Sequence, residues 1–328
     1  MRTQLATVDI SSLFAHDADA QARAACGDAL HHALRDTGFA VLRGTGVPTE
    51  TLARMRSAVR AVFDAPRALY RDATVQKDNY RGYVPLGYFT PNAGGARADQ
   101  YEAWKLHWEA SASDPVCAAS QLYGPNRWPP IDFDVQGAVQ AYWAEMTRVN
   151  NAVLGALCEA LGLDRGLVLS MLDQPLTNMT LLNYPPTPAR DDLWGIHPHK
   201  DFNFLTLLAH DPVGGLEVRT QDGQWMEAQC GAQDYVLNVG DMLELLTGGR
   251  LVSTPHRVVN RSALQRQSFP YFSVPRFDVV VAPLLAPVPG FERSPLQSGA
   301  ASYAIWYSNW PDEAVKDAAM DLGNYAAS

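Results

Sequence analysis

Apolar positions return every three or four residues from 134 to about 161, through Val135, Val139, Tyr142, Met146, Val149, Val153, Leu157 and Leu161. That period lines one face of a long α-helix, and Gly162 stops it. Two shorter helical stretches come earlier. Residues 17 to 37 put Cys26, Leu30, Ala33 and Leu34 on one face, with Asp17 or Asp19 as cap and Gly38 as stop. Residues 49 to 66 carry Leu52, Met55, Val59, Val62 and Phe63 at the same spacing, with Thr49 read as the cap and Pro66 as the close. Residues 39–42, between the two, read as a strand. From residue 177 onward the period shortens to two, or gives way to short β-rich runs at 177–184, 205–209, 216–220, 235–239, 250–260 and 269–274. Gly214-Gly215, Asp222-Gly223, Gly240-Asp241 and Gly248-Gly249 divide these runs. Many short strands without intervening helices point to a double-sheet jelly roll. Residues 300 to 320 return to a helical texture. Residues 70 to 133 fit neither period and are rich in aromatics, among them Tyr80, Tyr83, Tyr88, Phe89, Tyr101, Trp104, Trp108 and Trp128. A segment of that kind usually lines or covers something.

Composition narrows the function classes. A chain of 328 residues with 47% apolar content is long enough for one sizeable domain or a fused pair. The net charge of −9, with no run of four Lys or Arg, argues against nucleic acid. No apolar stretch approaches the length of a membrane span, and the N-terminal residues lack the apolar core of a secretory signal. The four cysteines are far apart and form no CxxC, so neither a zinc knuckle nor a disulfide framework is expected. The expected setting is cytoplasmic, the expected partner a small-molecule substrate, and a monomer is favoured.

The chemistry concentrates at His199-Lys200-Asp201, with His256 and Arg266-Gln267-Ser268 further on. In an extended backbone His199 and Asp201 leave the same face, while Lys200 leaves the other. Two imidazoles and one carboxylate form the set that holds Fe(II) on one side and leaves the other open. An isolated His-x-Asp is commonplace on protein surfaces, so the remote His256 decides the matter only if the fold returns it to the pair. Arg266 offers a planar cation suited to gripping a carboxylate through two hydrogen bonds, and Ser268 alternates onto its face.

These residues sit among phrases that resemble the isopenicillin N synthase-like family of iron(II)/2-oxoglutarate-dependent dioxygenases. The phrases are Asn183-Tyr184-Pro185, His199-Lys200-Asp201, Leu205-Thr206-Leu207-Leu208, Gly214-Gly215-Leu216-Glu217-Val218, Asn238-Val239-Gly240-Asp241, Ser253-Thr254-Pro255-His256-Arg257-Val258 and Arg266-Gln267-Ser268. Asp36 to Gly44 and Arg81-Gly82-Tyr83 carry a weaker likeness. The resemblance implies a mainly β protein with flanking helices. Its core would be a distorted double-stranded β-helix (jelly roll) at about residues 177–282, with an N-terminal α/β region and a long scaffold helix. Residues 1–133 would cover the site, and residues 134–328 would hold the scaffold helix, the core and a C-terminal helical segment.

By the same resemblance His199, Asp201 and His256 ligate Fe(II), while Arg266, Ser268 and Tyr184 hold 2-oxoglutarate, with O2 as oxidant. The products are succinate, CO2 and a hydroxylated, desaturated or cyclised small molecule such as an amino acid, peptide or specialised metabolite. Isopenicillin N synthase itself uses the Arg-x-Ser pair for its substrate's carboxylate and takes no 2-oxoglutarate, so an oxidase of that type is the alternative. A zinc hydrolase or a non-catalytic jelly-roll binding module is the more distant one. The carboxylate of Asp201 argues against halogenation, for which related enzymes carry a small residue. Candidate substrate contacts are Arg81, Tyr83, Lys105, His107, His197 and Lys200, of which Arg81 matches a position where some relatives grip a substrate carboxylate. His197 reads as a polar lining residue rather than a fourth ligand.

Overall fold

Four aspartates fix where helices begin. The computed structural model describes residues 4–15, 19–89, 98–186 and 193–308. In helix α1 (Ala20–Thr37) the Asp19 carboxylate accepts the Ala22 amide hydrogen bond at 2.6 Å, and Gly38 ends the helix at φ +67°. Helix α2 (Thr49–Asp64) differs from expectation: Pro48 occupies the cap position and Thr49 is already the first helical residue. Asp114, Asp134 and Asp164 cap α3 (Pro115–Ala119), α4 (Val135–Leu161) and α5 (Arg165–Ser170). Gly162, at φ +67°, closes α4 as its position implied.

Strands β1 (Thr7–Asp9), β2 (Phe39–Arg43), β3 (Gly82–Val84) and β4 (Glu102–His107) precede α4. After α5 come β5 (Asn178–Tyr184), β6 (Ile196–His199), β7 (Leu205–Ala209), β8 (Leu216–Arg219), β9 (Trp225–Glu227) and β10 (Tyr235–Val239). Helix α6 (Asp241–Leu246) leads to β11 (His256–Val258), β12 (Arg266–Ser268) and β13 (Tyr271–Ser273), and α7 (Ser298–Ser308) follows later. The larger sheet runs β1-β2-β10-β7-β13-β5-β4-β3, with β12 also against β5, and the smaller runs β6-β11-β8-β9. Two sheets with helices packed outside one of them is the jelly-roll architecture expected, and strands from both ends of the chain share the larger sheet.

Strand alternation sorts side chains into two cores. On β2, Phe39 and Val41 face the space between the sheets while Ala40 and Leu42 join the helical layer. Leu182 and Tyr184 of β5 point inward, and Met179 and Leu181 pack with α4 residues such as Met146 and Val149 in the outer core. Burial on both faces explains why these strands read as apolar runs rather than clean alternation.

The irregular 70–133 segment conceals β4, which pairs with β5 from Glu102↔Asn183 to His107↔Asn178. Its sequence, Glu-Ala-Trp-Lys-Leu-His, mixes polar and apolar residues on the inward face because that face borders a cavity. The expected strand at 250–260 shrinks to β11: Pro255 has no amide hydrogen to contribute to a ladder, and the strand starts just after it. Helix α6 has no amphipathic signature in the sequence, because its six residues are all buried. The helical texture from 300 is realised in α7 as far as Ser308, and residues 309–320 lie outside the described residues. Among the described residues no helix is long and apolar enough to cross a membrane.

Candidate metal centre and its cavity

Register brings the two histidines together. His256 on β11 lies directly opposite His199 on β6, and their ring centroids are 4.3 Å apart. Asp201 lies two residues past the end of β6, and its Oδ1 is 3.8 Å from His199 Nε2 and 3.6 Å from His256 Nε2. One donor atom from each of the three falls within 4.8 Å of the others. Each imidazole is fixed from behind. His199 Nδ1 donates to the His197 carbonyl at 2.7 Å and His256 Nδ1 to the Thr254 carbonyl at 3.1 Å. A carbonyl only accepts, so each Nδ1 carries a hydrogen and each Nε2 is the ring nitrogen presented toward Asp201. Burial, reinforced by His256, holds His199 below the usual histidine range and so in the neutral form a metal requires.

Asp201 is anchored through its other oxygen. Its Oδ2 accepts hydrogen bonds from Thr206 Oγ1 at 2.6 Å and Asn238 Nδ2 at 2.8 Å. Thr206 on β7 and Asn238 on β10 are paired in register, so the two sheet strands present both donors at one height. Burial works to raise the Asp201 pKa, but His256, His199 and these two donors outweigh it and leave the carboxyl below its usual range. The donor set, two imidazoles and an ionised carboxylate crowded on one side, fits a divalent ion with open positions opposite.

Thr206 and Asn238 carry one sequence signal as site residues, a polar side chain inside an otherwise apolar strand. Thr206→Val is expected to weaken Fe(II) binding by about 10- to 100-fold through a looser carboxylate. Chelator competition on the purified protein measures this, and affinity within about twofold of wild type contradicts it.

Arg266 and Ser268 come together with Tyr184 as expected. β12 pairs with β5 so that Arg266 lies opposite Tyr184 and Ser268 opposite Leu182, and all three site residues are buried. The guanidinium stacks on the Tyr184 ring at 4.7 Å and its Nε donates to the Gly214 carbonyl at 2.7 Å. Arg266 Nη1 is buried with no hydrogen-bond partner among the described residues. A buried cation with an unused donor is what a carboxylate would complete, so the site fits the acidic end of 2-oxoglutarate. The Tyr184 phenol is pushed up to about 12 by burial, against the pull of Arg266, and remains a donor at neutral pH.

A cavity of about 410 Å³ opens beside the triad, lined by His199 and Asp201 and, further along, by Lys105, His107 and Trp306. His197 lines it too, with its Nδ1 2.5 Å from Asp99 Oδ1, a partner the sequence reading did not foresee. Lys200 also faces it, contrary to the alternation argument, because β6 ends at His199 and extended geometry ends with it. Two expected substrate contacts are corrected. Tyr83 on β3 packs in the outer core, where its hydroxyl donates to Glu102 Oε2 at 2.7 Å. Arg81, two residues earlier, is buried with Nη2 donating to the Leu122 carbonyl at 2.6 Å. Neither lines the cavity: Tyr83 is turned away by strand alternation on β3, and Arg81, just before that strand, is tied to the Leu122 carbonyl.

Fold and site together define a jelly roll that carries a His-Asp-His group able to hold one metal ion, and a buried arginine with an unused donor. Residues 176–275 match the family model of the 2OG-Fe(II) oxygenase superfamily, and residues 5–131 match that of the N-terminal region of non-haem dioxygenases in morphine synthesis. Validamycin A dioxygenase of Streptomyces hygroscopicus subsp. limoneus is 32% identical over 286 residues, spanning 83% of this chain and 78% of that one. The 2-oxoglutarate-dependent dioxygenase thnC of Trichoderma harzianum is 31% identical over 244 residues, 73% of this chain and 75% of its own. The crystal structure of a 2OG-Fe(II) oxygenase family protein from Caulobacter crescentus superimposes with a TM-score of 0.77 at 27% identity, covering 91% of this chain and 97% of that one. The chain belongs to the 2OG-Fe(II) oxygenase superfamily, and is a non-haem dioxygenase dependent on Fe(II) and 2-oxoglutarate.

Proposed function

We propose that the protein oxidises a C–H bond of a small organic molecule held in the cavity beside His199, Asp201 and His256, by hydroxylation, desaturation or ring closure. The observation that carries this reading is the placement of the three donor atoms within 4.8 Å of one another, with His199 and Asp201 in the wall of a cavity of about 410 Å³. That volume lies in the range that encloses a metabolite-sized ligand. In this reading His199, Asp201 and His256 hold the iron, and Arg266, Ser268 and Tyr184 hold the distal carboxylate of 2-oxoglutarate. When bound, the iron couples decarboxylation of 2-oxoglutarate by dioxygen, giving succinate and CO2, to oxidation of the substrate. The chain's own part is positional. Thr206 and Asn238 aim Asp201, the two backbone carbonyls aim the imidazoles, and the apolar walls keep water from the target carbon.

The test is anaerobic addition of Fe(II) and 2-oxoglutarate, which should give a weak visible charge-transfer band, followed by a metabolite screen for oxygen-dependent succinate release. Mass spectrometry then reads a gain of oxygen or a loss of two hydrogens. A protein with no band, or turnover of substrate without succinate, would move the assignment to a zinc hydrolase or to an oxidase that needs no 2-oxoglutarate.

A further inference from the structure

Most charges on the cavity wall already have an answer within the protein. Asp201 faces two imidazoles and two hydrogen-bond donors. Asp99 is paired with His197, and Lys200 lies near enough to Asp241 to act on it electrostatically. Lys105 differs. Its Nζ sits 4.9 Å over the Tyr80 ring and 3.5 Å from Thr180 Oγ1, and among the described residues no carboxylate offsets its charge. A half-buried cation with only a ring face and a distant hydroxyl is under-compensated, and a negative group in the cavity would complete it.

The neighbours agree with this. His107 shares the inward face of β4 with Lys105, and its Nε2 donates to the Tyr80 carbonyl at 3.1 Å. Burial, then the charges of Arg81 and Lys105, hold His107 well below the usual range, so it is neutral and adds no competing charge. Asn178 and Thr180, opposite His107 and Lys105 on β5, line the same end of the cavity with polar groups. Burial pushes the Lys105 amine down to about 8, so it is still protonated at pH 7.

Lys105 is not a second contact for the 2-oxoglutarate carboxylate. It lies opposite Thr180, whereas Arg266 lies opposite Tyr184 on the same strand. Four residues of strand separate those positions by roughly 13 Å, too far for one carboxylate to bridge. The same cavity has an aromatic and apolar surface: Tyr80 and Trp306 stack at 5.1 Å, and Leu182, Phe272 and Ile305 also line it.

We propose that the substrate is an organic acid with an apolar body, its carboxylate held by Lys105 at one end of the cavity and its oxidisable carbon beside His199 and Asp201 at the other. The proposal rests on the oxygenase reading above.

The experiment uses the full chain loaded anaerobically with Fe(II) and 2-oxoglutarate. Benzoate, phenylacetate, phenylpropanoate, hexanoate and octanoate are titrated by calorimetry, each against its primary amide. At least one acid should bind about 10- to 100-fold more tightly than its amide to the wild type. Lys105→Met should abolish that preference while Lys105→Arg keeps part of it, with melting temperature reporting that both variants fold. Equal binding of acid and amide, no binding by any acid at about 10 mM, or an unchanged preference in Lys105→Met overturns the proposal. The visible band with 2-oxoglutarate separates the two failures. Its absence from the wild type indicts the oxygenase reading, whereas an intact band without acid preference removes Lys105 alone.

Discussion

Asp201→Asn is expected to lower Fe(II) affinity by about a thousandfold or more while leaving the fold intact. The reason is orientational as much as electrostatic. Thr206 Oγ1 and Asn238 Nδ2 both donate to Asp201 Oδ2, so they demand an acceptor on that side. An asparagine satisfies them with its carbonyl oxygen and thereby turns its NH2 group toward His199 and His256. The position that presented a negative oxygen to a cation then presents two positive hydrogens. Loss of a full charge at a metal is worth several kcal/mol, and each 1.4 kcal/mol is about a factor of ten. Chelator competition with Fe(II) on the apo-protein gives the number, with the melting temperature as control for folding. Affinity within about tenfold of wild type would mean that Asp201 is not a ligand.

Arg266→Met should separate 2-oxoglutarate binding from iron binding. Removing one partner of a buried charge pair costs about 2–5 kcal/mol, or roughly 30-fold to several thousandfold in 2-oxoglutarate affinity. The fold should tolerate the change. The lost hydrogen bond to the Gly214 carbonyl is offset by removing a buried Nη1 that has no partner among the described residues, and methionine keeps a contact with the Tyr184 ring. Saturating 2-oxoglutarate, at about a hundred times its dissociation constant, stabilises the wild type by about 2.7 kcal/mol. At the same concentration the variant should gain no more than about 0.9 kcal/mol, so the rise in melting temperature should fall to a third or less, with Fe(II) affinity unchanged. If instead 2-oxoglutarate still stabilises Arg266→Met and a substrate no longer does, the guanidinium serves the substrate, as it does in isopenicillin N synthase.

Much of the helical layer was readable because its signals are local. Asp19, Asp134, Gly38 and Gly162 act within one turn of the residues they cap, and the α4 stripe from Val135 to Leu157 is a contact pattern between near neighbours. The core strands were legible as apolar runs, yet β4 was not, because its inward residues Lys105 and His107 answer to a cavity rather than to a core. The metal residues were legible as types and in order; their closeness was not. The orientation of Lys200 was misjudged for a related reason: alternation holds only while the strand lasts, and β6 stops at His199.

The sequence by itself determined the donor set His199, Asp201 and His256, the cation at Arg266, and the alternation of core and surface positions, since these depend on residue identity and on spacing of a few residues. Tertiary structure alone decided that His256 meets His199 across β6 and β11, that Thr206 and Asn238 converge on one oxygen of Asp201, and that Lys105 rather than Arg81 or Tyr83 faces the cavity. The physical reason is register. Which residues face one another across paired strands is fixed by burying two faces of a sheet at once, a balance of contacts between distant parts of the chain that no local pattern encodes.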